Sequence, residues 1–204
     1  MALTYTVLGA GLGFAAAVQP GPFQAYLVAE TLIQGWRRAA PAVLAPLVSD
    51  VPIVALVLIV LSRLPDLLVR ALQVAGGVFL LYLAVGAARS AYRYGSGTGA
   101  AARLTFTKAV FVNLLNPNPY LGWGLVLGPM TITAWRRDPR FAIALVVAFY
   151  GSLVLGTAAI VALLAAARLL GPRVGRGLVA VSALGLAGFG VYQLWSGLTA
   201  GGNW

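Results

Sequence analysis

The chain has 204 residues, of which 61% are hydrophobic and 9% are charged, and its mean hydropathy is +0.93. Because soluble domains are about a quarter charged, this composition excludes a soluble protein and indicates an integral membrane protein in a lipid bilayer. The 14 Lys and Arg residues behind the net charge of +10 lie mainly between apolar runs, which is typical of membrane topology and not of nucleic-acid binding. The chain contains neither Cys nor His, which excludes disulfides and removes the commonest metal ligand and proton shuttle.

Six apolar stretches follow one another along the chain. A helix that spans a bilayer needs about 20 apolar residues, so six of them leave no room for a soluble domain. The first stretch has no Lys or Arg before it and is longer than a signal-peptide core, so we expect an uncleaved span. We predict an all-α polytopic membrane protein, a single transmembrane domain over 1–204, with spans at roughly 3–33, 39–62, 67–89, 106–133, 139–167 and 174–198.

The first span contains a predicted helix break at Pro20-Gly21-Pro22. Each proline removes an amide donor and frees the carbonyl one turn back, here at Ala16 and Val18. Lipid cannot satisfy such groups, so we expect this backbone to be buried in protein or to line a wet cavity. With Gly21 as the cap before Pro22, the second half of the helix would present free amides and a positive dipole end, which suit a carboxylate.

Polar side chains near this break are candidate site residues. Gln19 and Gln24 could orient a substrate or satisfy the freed backbone, and the sequence leaves both roles open. Glu30 lies further along the same span, where a role at the site and an ion pair with Arg37 or Arg38 are alternatives.

Asp50 is the sharpest single candidate, because it lies near the middle of the second span between Pro46 and Pro52. An Asp at the centre of a membrane helix costs roughly 2.5 to 3.5 kcal/mol, so it should face a cavity, a partner or a proton path. We predict that it carries a proton or contacts a cationic group of the ligand. A structural ion pair with an arginine is the alternative.

One long connection divides the chain. It is a Gly/Ser-rich linker over 93–105, which separates a first group of three spans at 1–92 from a second group at 106–204. An odd number of spans in each half gives the two halves opposite orientations.

The fourth span is broken at Pro117-Asn118-Pro119, which frees the carbonyls of Asn113 and Leu115 and places Asn118 as a cap before Pro119. The side chains of Asn113 and Asn116 lie beside this break, with substrate binding and local backbone satisfaction as alternatives. A single proline could be a packing kink, but two breaks in matching positions are typical of transporter helices that hold substrate. The sequence therefore predicts a site between the breaks.

The halves are interpreted as an inverted repeat: six transmembrane helices in two three-helix units, with the first and fourth helices broken at Pro-x-Pro. Trp36-Arg37-Arg38 is placed at the end of the first span and Trp135-Arg136-Arg137 at the end of the fourth. Clustering of aromatic and basic residues at membrane interfaces is the alternative explanation. Nine Lys and Arg residues fall in the first, third and fifth connections and five on the opposite face, which favours both termini outside.

The remaining motifs receive structural interpretations. Asp66 and Asp138 lie beside prolines in loops, where turn chemistry is sufficient. Neither a Ser-His-Asp set nor a zinc site can be assembled without His and Cys, so we expect no enzyme, no metal site and no cofactor. Close helix packing is expected at several glycines: Gly9, Gly13, Gly76, Gly77, Gly185, Gly188 and Gly190.

Four features of the chain point to a known family: Pro20-Gly21-Pro22, Gly35 followed by small residues and Asp50, the Gly76 to Tyr82 and Gly86 to Arg89 pattern, and Phe106 through Asn116-Pro117. With these features the chain resembles the lysine exporter (LysE) family of small bacterial amino-acid exporters along essentially its whole length. The resemblance implies six spans, an inverted repeat, the bacterial inner (plasma) membrane, and export of amino acids or similar small metabolites driven by the proton gradient.

The sequence thus predicts a secondary active, proton-coupled exporter of amino acids or closely related small metabolites that works by alternating access. Its partners would be the bilayer, a small-molecule substrate and protons, and a homo-oligomer is left open. Two alternatives remain. One is a cation (metal-ion) exporter of the same superfamily, which could bind hard cations through carbonyl oxygens; the other is a non-transporting membrane scaffold whose breaks serve helix packing and partner docking.

Overall fold

The computed structural model describes residues 1–59, 66–92, 105–167 and 171–199, and the chain is helical apart from short breaks over those ranges. The predicted all-α class is confirmed. Residues 93–104 of the predicted linker, and 60–62 at the predicted end of the second span, lie outside the described residues. The α-helices are α1 (Ala2–Val18), α2 (Pro22–Gln34), α3 (Trp36–Ala39), α4 (Ala45–Ile59), α5 (Asp66–Tyr92), α6 (Thr105–Leu114), α7 (Pro117–Gly122), α8 (Gly128–Arg137), α9 (Pro139–Ala167) and α10 (Pro172–Thr199).

Two short helical segments that are not α-helical join some of these helices. A 3₁₀ segment over Ala40–Leu44 connects α3 to α4, and a π-helical turn over Trp123–Leu127 connects α7 to α8. Among the helices of the described ranges, four begin with a proline, at Pro22, Pro117, Pro139 and Pro172. Proline suits this first position because its missing amide has no intrahelical partner there and its φ is already helical.

Within the described ranges, four helical segments are long and apolar enough to cross a membrane, judged by length and composition. A fifth is added if α1 and α2, which meet at an angle of 61°, count as one bent span. The predicted fourth span is divided among α6, α7 and α8, so the count of six stays a prediction. The four segments are Trp36–Val57, Gln73–Tyr92, Pro139–Ala166 and Arg173–Thr199.

The placement of Trp36-Arg37-Arg38 at the end of the first span is wrong. Gly35 ends α2 with a φ of 85°, a left-handed conformation that glycine adopts without strain, and Trp36 begins α3. Trp135-Arg136-Arg137, in contrast, does end α8 as predicted. The first Trp-Arg-Arg therefore begins the segment Trp36–Val57, whereas the second ends α8, and the two are not in matching positions.

Helices from the two halves pack closely against each other. α1 lies along α9, and α5 lies along α10. A Cβ at Gly9 or Gly13 would overlap the backbone of α9, and one at Gly77 would lie 2.8 Å from the carbonyl oxygen of Gly190. Close packing is thus confirmed at these glycines, whereas it is wrong for Gly188, where a Cβ would meet no atom within 4 Å.

Two apolar clusters surround the broken helices. The first joins α2 to α5, α6 and α10 and includes Phe23 and Leu80. The second joins α1 and α4 to α9 and the region after the second break, and includes Ile53, Trp123 and Phe149. Residues of both clusters line a cavity between the breaks. Gly21 and Asn116 are buried there, whereas Gln19 and Pro20 at the first break are exposed.

Asp138 shows the turn chemistry expected of it. Its Oδ1 accepts a hydrogen bond of 2.9 Å from the backbone N–H of Arg140, and its Oδ2 lies 3.2 Å from the Arg140 guanidinium. The backbone hydrogen bond, followed by the side-chain one, lowers the pKa of Asp138. This residue stabilises the start of α9 and lies outside the membrane-spanning segments.

Candidate functional site

The first break separates α1 from α2 at residues 19–21. Pro20 has no amide to donate, and the freed Ala16 carbonyl accepts a hydrogen bond of 3.0 Å from Gln24 Nε2, with Ala17 O at 3.4 Å from the same atom. The predicted freed carbonyl at Ala16 is confirmed, and Gln24 satisfies it. Gly21 is the predicted cap residue, but because it has no side chain it provides no side-chain hydrogen bond to α2.

The second break separates α6 from α7 at residues 115–116. Asn116 Oδ1 accepts a hydrogen bond of 3.1 Å from the backbone N–H of Asn118, which makes Asn116 the cap of α7. The expectation that Asn118 is the cap is wrong, because Pro117 and not Pro119 takes the first helical position. Tyr120 crosses this break, and its hydroxyl donates to the Leu114 carbonyl at 3.0 Å.

Only the first break can offer the amides expected of a half-helix end. In α7 the first and third residues, Pro117 and Pro119, have no N–H, and the N–H of Asn118 is used by its cap. In α2 the N–H groups of Phe23 and Gln24 have no side-chain cap. The prediction of free amides in both halves is therefore wrong for the second half.

A cavity of about 260 Å³ lies between the two breaks. It brings together most of the residues predicted for the site, from both halves of the chain. Pro22 and Pro117 adjoin the breaks without lining the cavity, and Glu30 lies away from it. The predicted residues that line it are Gln19, Pro20, Gly21, Gln24, Asp50, Asn113, Asn116, Asn118 and Pro119.

Asp50 lies on α4 with only 5% of its surface exposed, and both carboxylate oxygens accept hydrogen bonds. Asn113 Nδ2 donates to Oδ1 at 2.8 Å, and the Tyr150 hydroxyl donates to Oδ2 at 3.0 Å. Asn113 Nδ2 also lies 2.7 Å from Ser49 Oγ. Within the described ranges no Lys or Arg pairs with Asp50. Its partners there are the Asn113 amide and the Tyr150 phenol, and not the arginine of the structural ion pair considered as an alternative.

Several residues of the site were missed by the sequence analysis. Tyr150 and Phe149 come from α9, and Trp123 comes from the π-helical turn. Trp123 stacks on Tyr150 with centroids 6.3 Å apart and meets Phe149 edge to face at 6.4 Å. Gly128-Pro129 was an available signal for the π-turn, because Pro129 cannot donate to a carbonyl in the preceding turn.

Trp123 is 3% exposed, and it lines the cavity. Its indole N–H lies close to the Asp50 carboxylate but completes no hydrogen bond of good geometry within the described residues. Buried donors are usually paired. The indole N–H of Trp123 is thus positioned to donate a hydrogen bond when a further acceptor enters the cavity or when Asp50 moves slightly.

Glu30 is buried on α2, at 8% exposure, outside the cavity. Gln34 Nε2, one turn later on the same helix, donates a hydrogen bond to Glu30 Oε2. The contact with Gln34 was not anticipated, and a role for Glu30 at the site stays a prediction.

Comparison with known proteins adds one match. The profile of the LysE type translocator family matches residues 14–197, nearly the whole chain. The chain belongs to this family. Searches of curated proteins and of solved structures return no match.

The LysE type translocators are transporters and not enzymes, so membership makes the chain a multi-pass membrane transporter and implies export of amino acids or related compounds. The resemblance found in the sequence is confirmed. Among the described residues of this translocator, no group of three or more His, Cys, Asp or Glu side chains lies together.

Proposed function

We propose that this LysE type translocator is a secondary active exporter of amino acids or closely related small metabolites, coupled to protons through Asp50. The observation that carries the proposal is the cavity between the two helix breaks, with one buried carboxylate held by donors from the other half of the chain. The substrate would bind in this cavity.

The cavity offers complementary groups for the two charges of an amino acid. The uncapped amides of Phe23 and Gln24, at the positive end of the α2 dipole, suit a carboxylate. Asp50 suits an ammonium group on the same molecule. A zwitterion can therefore be held by charges of opposite sign without any Lys or Arg side chain.

The proposed inverted repeat would comprise 1–92 and 106–204, joined by the linker. Each half has a helix that restarts at a proline, Pro22 in one and Pro117 in the other. The packing is reciprocal, because α1 lies against α9 of the second half while α6 lies against α4 of the first. Such reciprocal packing supports alternating access by movement of one half against the other.

Proton coupling is proposed because Asp50 is a buried carboxylate between neutral donors. Asn113 and Tyr150 are both uncharged, so neither favours the ionised carboxylate as a Lys or Arg would. Both can hydrogen-bond to the ionised and to the protonated form of Asp50. Proton binding and ammonium binding would then compete for one group. This competition is the simplest route to exchange of substrate for protons.

The location and orientation belong to the same proposal. The family resemblance supports the bacterial inner membrane, and the Lys and Arg distribution supports termini on its outer face. The proposed partners are the bilayer, the amino acid and protons.

The deciding experiment is the substitution Asp50→Asn in reconstituted vesicles with an imposed pH gradient. We expect efflux of labelled amino acid driven by the gradient to fall to background, while expression and thermal unfolding stay near wild type because the amide keeps the shape of the carboxyl group. Asp138→Asn is the matched control, since it makes the same change outside the membrane, and it should transport normally. Full gradient-driven transport by Asp50→Asn would refute the coupling role.

A further inference from the structure

The cavity between the breaks contains very little charge. Among the described residues that line it, Asp50 is the only one with an ionisable side chain, and no Lys or Arg is present. The other polar groups are the uncharged amides of Gln19, Gln24 and three asparagines. The charge on the protein side therefore amounts to one carboxylate and the dipole end of α2.

This charge balance accommodates one ammonium and one carboxylate on a substrate. Asp50 already accepts one hydrogen bond at each oxygen, and a carboxylate has about four acceptor positions in all, which leaves room for one ammonium group. A lysine or arginine would bring a second cation, and a glutamate would bring a second anion. Either extra charge would be removed from water with no partner of opposite sign, which is strongly unfavourable.

The rest of the cavity wall is apolar. Phe23, Trp123 and Phe149 contribute aromatic surface, and Leu12, Leu127 and Leu153 contribute aliphatic surface. The aromatic part is fixed in place, because Phe149 and Tyr150 have centroids 5.0 Å apart and both contact Trp123. Burial of an apolar substrate side chain against this wall would be favourable, whereas a polar side chain would lose hydrogen bonds to water.

We infer that the cavity selects amino acids whose side chain is uncharged and apolar, with the ammonium group at Asp50, the carboxylate at the start of α2 and the side chain against the Trp123–Phe149 wall. The inference rests on the proposed function, because it names the substrate class of that same cavity. Trp123 is then a specificity-determining residue.

The test is counterflow in vesicles that contain the purified wild-type protein, with labelled leucine, methionine, phenylalanine, serine, lysine, arginine and glutamate. We expect the three apolar amino acids to exchange at least about tenfold faster than the charged ones, the lower end of what one pocket contact contributes to discrimination. Exchange of lysine, arginine or glutamate at the rate of leucine would overturn this inference and leave the exporter intact, as would faster exchange of serine. No exchange of any of the seven would overturn both.

A pair of substitutions tests the charge argument itself. Val126 lines the cavity in the π-turn, and Val126→Asp adds a second carboxylate there, while Val126→Asn adds a group of the same shape without the charge. We expect Val126→Asp alone to raise the ratio of lysine to leucine exchange. An unchanged ratio in a Val126→Asp protein that still exchanges leucine would refute the argument, and the wild-type panel decides the inference even if that variant fails to fold.

Discussion

The two helix breaks begin with the same device, a proline at the first position of the following helix, yet they present different chemistry. At the first break Gly21 leaves the amides of α2 without a side-chain cap. At the second break, the Asn116 side chain caps α7 by accepting from the Asn118 N–H, and Pro117 and Pro119 have no N–H. The first break is thus open to an anion, while the second is internally satisfied.

The difference assigns separate tasks to the halves. The second half supplies Asn113 and Tyr150, which hold the carboxylate of Asp50 from the first half. A repeated sequence pattern therefore does not imply a repeated function, because the residue just before the proline decides whether the helix end is free or filled.

The largest expected effect concerns the side chains that cross the breaks. Tyr120→Phe leaves the half-buried Leu114 carbonyl without its hydrogen bond. Because neither Tyr120 nor Leu114 lines the cavity, we expect a loss of about 1–3 kcal/mol in the free energy of unfolding. Gln24→Met removes the matching bond at Ala16, but Gln24 lines the cavity, where water can replace it. Thermal unfolding in detergent should show Tyr120→Phe as the less stable variant; the reverse order would contradict the proposed difference in access to water in the cavity.

A smaller effect is expected from the cap of the second break. Asn116→Ala removes the acceptor for the Asn118 amide and should lower the free energy of unfolding by about 1 kcal/mol. Asn118→Ala is the matched control, because its exposed side chain is not the cap. Equal losses in a denaturation assay would mean that the capping assignment is wrong.

The smallest change in stability, a few tenths of a kcal/mol, is expected from giving the first break a cap, because glycine and serine differ little at this position. Gly21 has a φ of −168°, which any residue can adopt, so Gly21→Ser can place a hydroxyl on the amides of α2. The substrate carboxylate would then meet a filled helix end, and KM for efflux should rise.

Gly21→Ala isolates the effect of that hydroxyl. Both variants add a Cβ about 3.3 Å from Gln24 Oε1, so any disturbance of Gln24 is common to them. A rise in KM that is the same for serine and alanine would show that the free amides are not used.

The positions of the breaks were predictable because they depend on local chemistry. Proline lacks its amide wherever it occurs, and an Asp within an apolar span is costly enough to mark Asp50 as a candidate. Gln24 and Asn113 were predicted for a related reason, since polar groups beside a break have freed backbone or ligand to bind. These predictions required no knowledge of the tertiary packing.

The remaining features depend on tertiary packing, or on which of several possible residues ends or starts a helix. Tyr150 lies 100 residues from Asp50 and reaches it because α9 packs along α1 and shares an apolar cluster with α4. The cap of α7 was assigned wrongly because two prolines could each start a helix, and the sequence pattern does not say which one does. Trp36 was expected to end the first span, whereas the chain turns at Gly35 with a positive φ and restarts as a helix at Trp36. The sequence alone does not show the φ that a glycine adopts.

The most direct test of the central claim, that substrate binds between the two breaks, uses the absence of cysteine from the chain. A single cysteine at Val126, which is 41% exposed and lines the cavity, can be labelled with a membrane-impermeant maleimide, with Arg140→Cys as a control at an exposed position on α9. We predict that a saturating amount of the amino acid with the fastest counterflow slows labelling of Val126→Cys and leaves Arg140→Cys unaffected. Unchanged labelling of a transport-competent Val126→Cys protein would contradict the account.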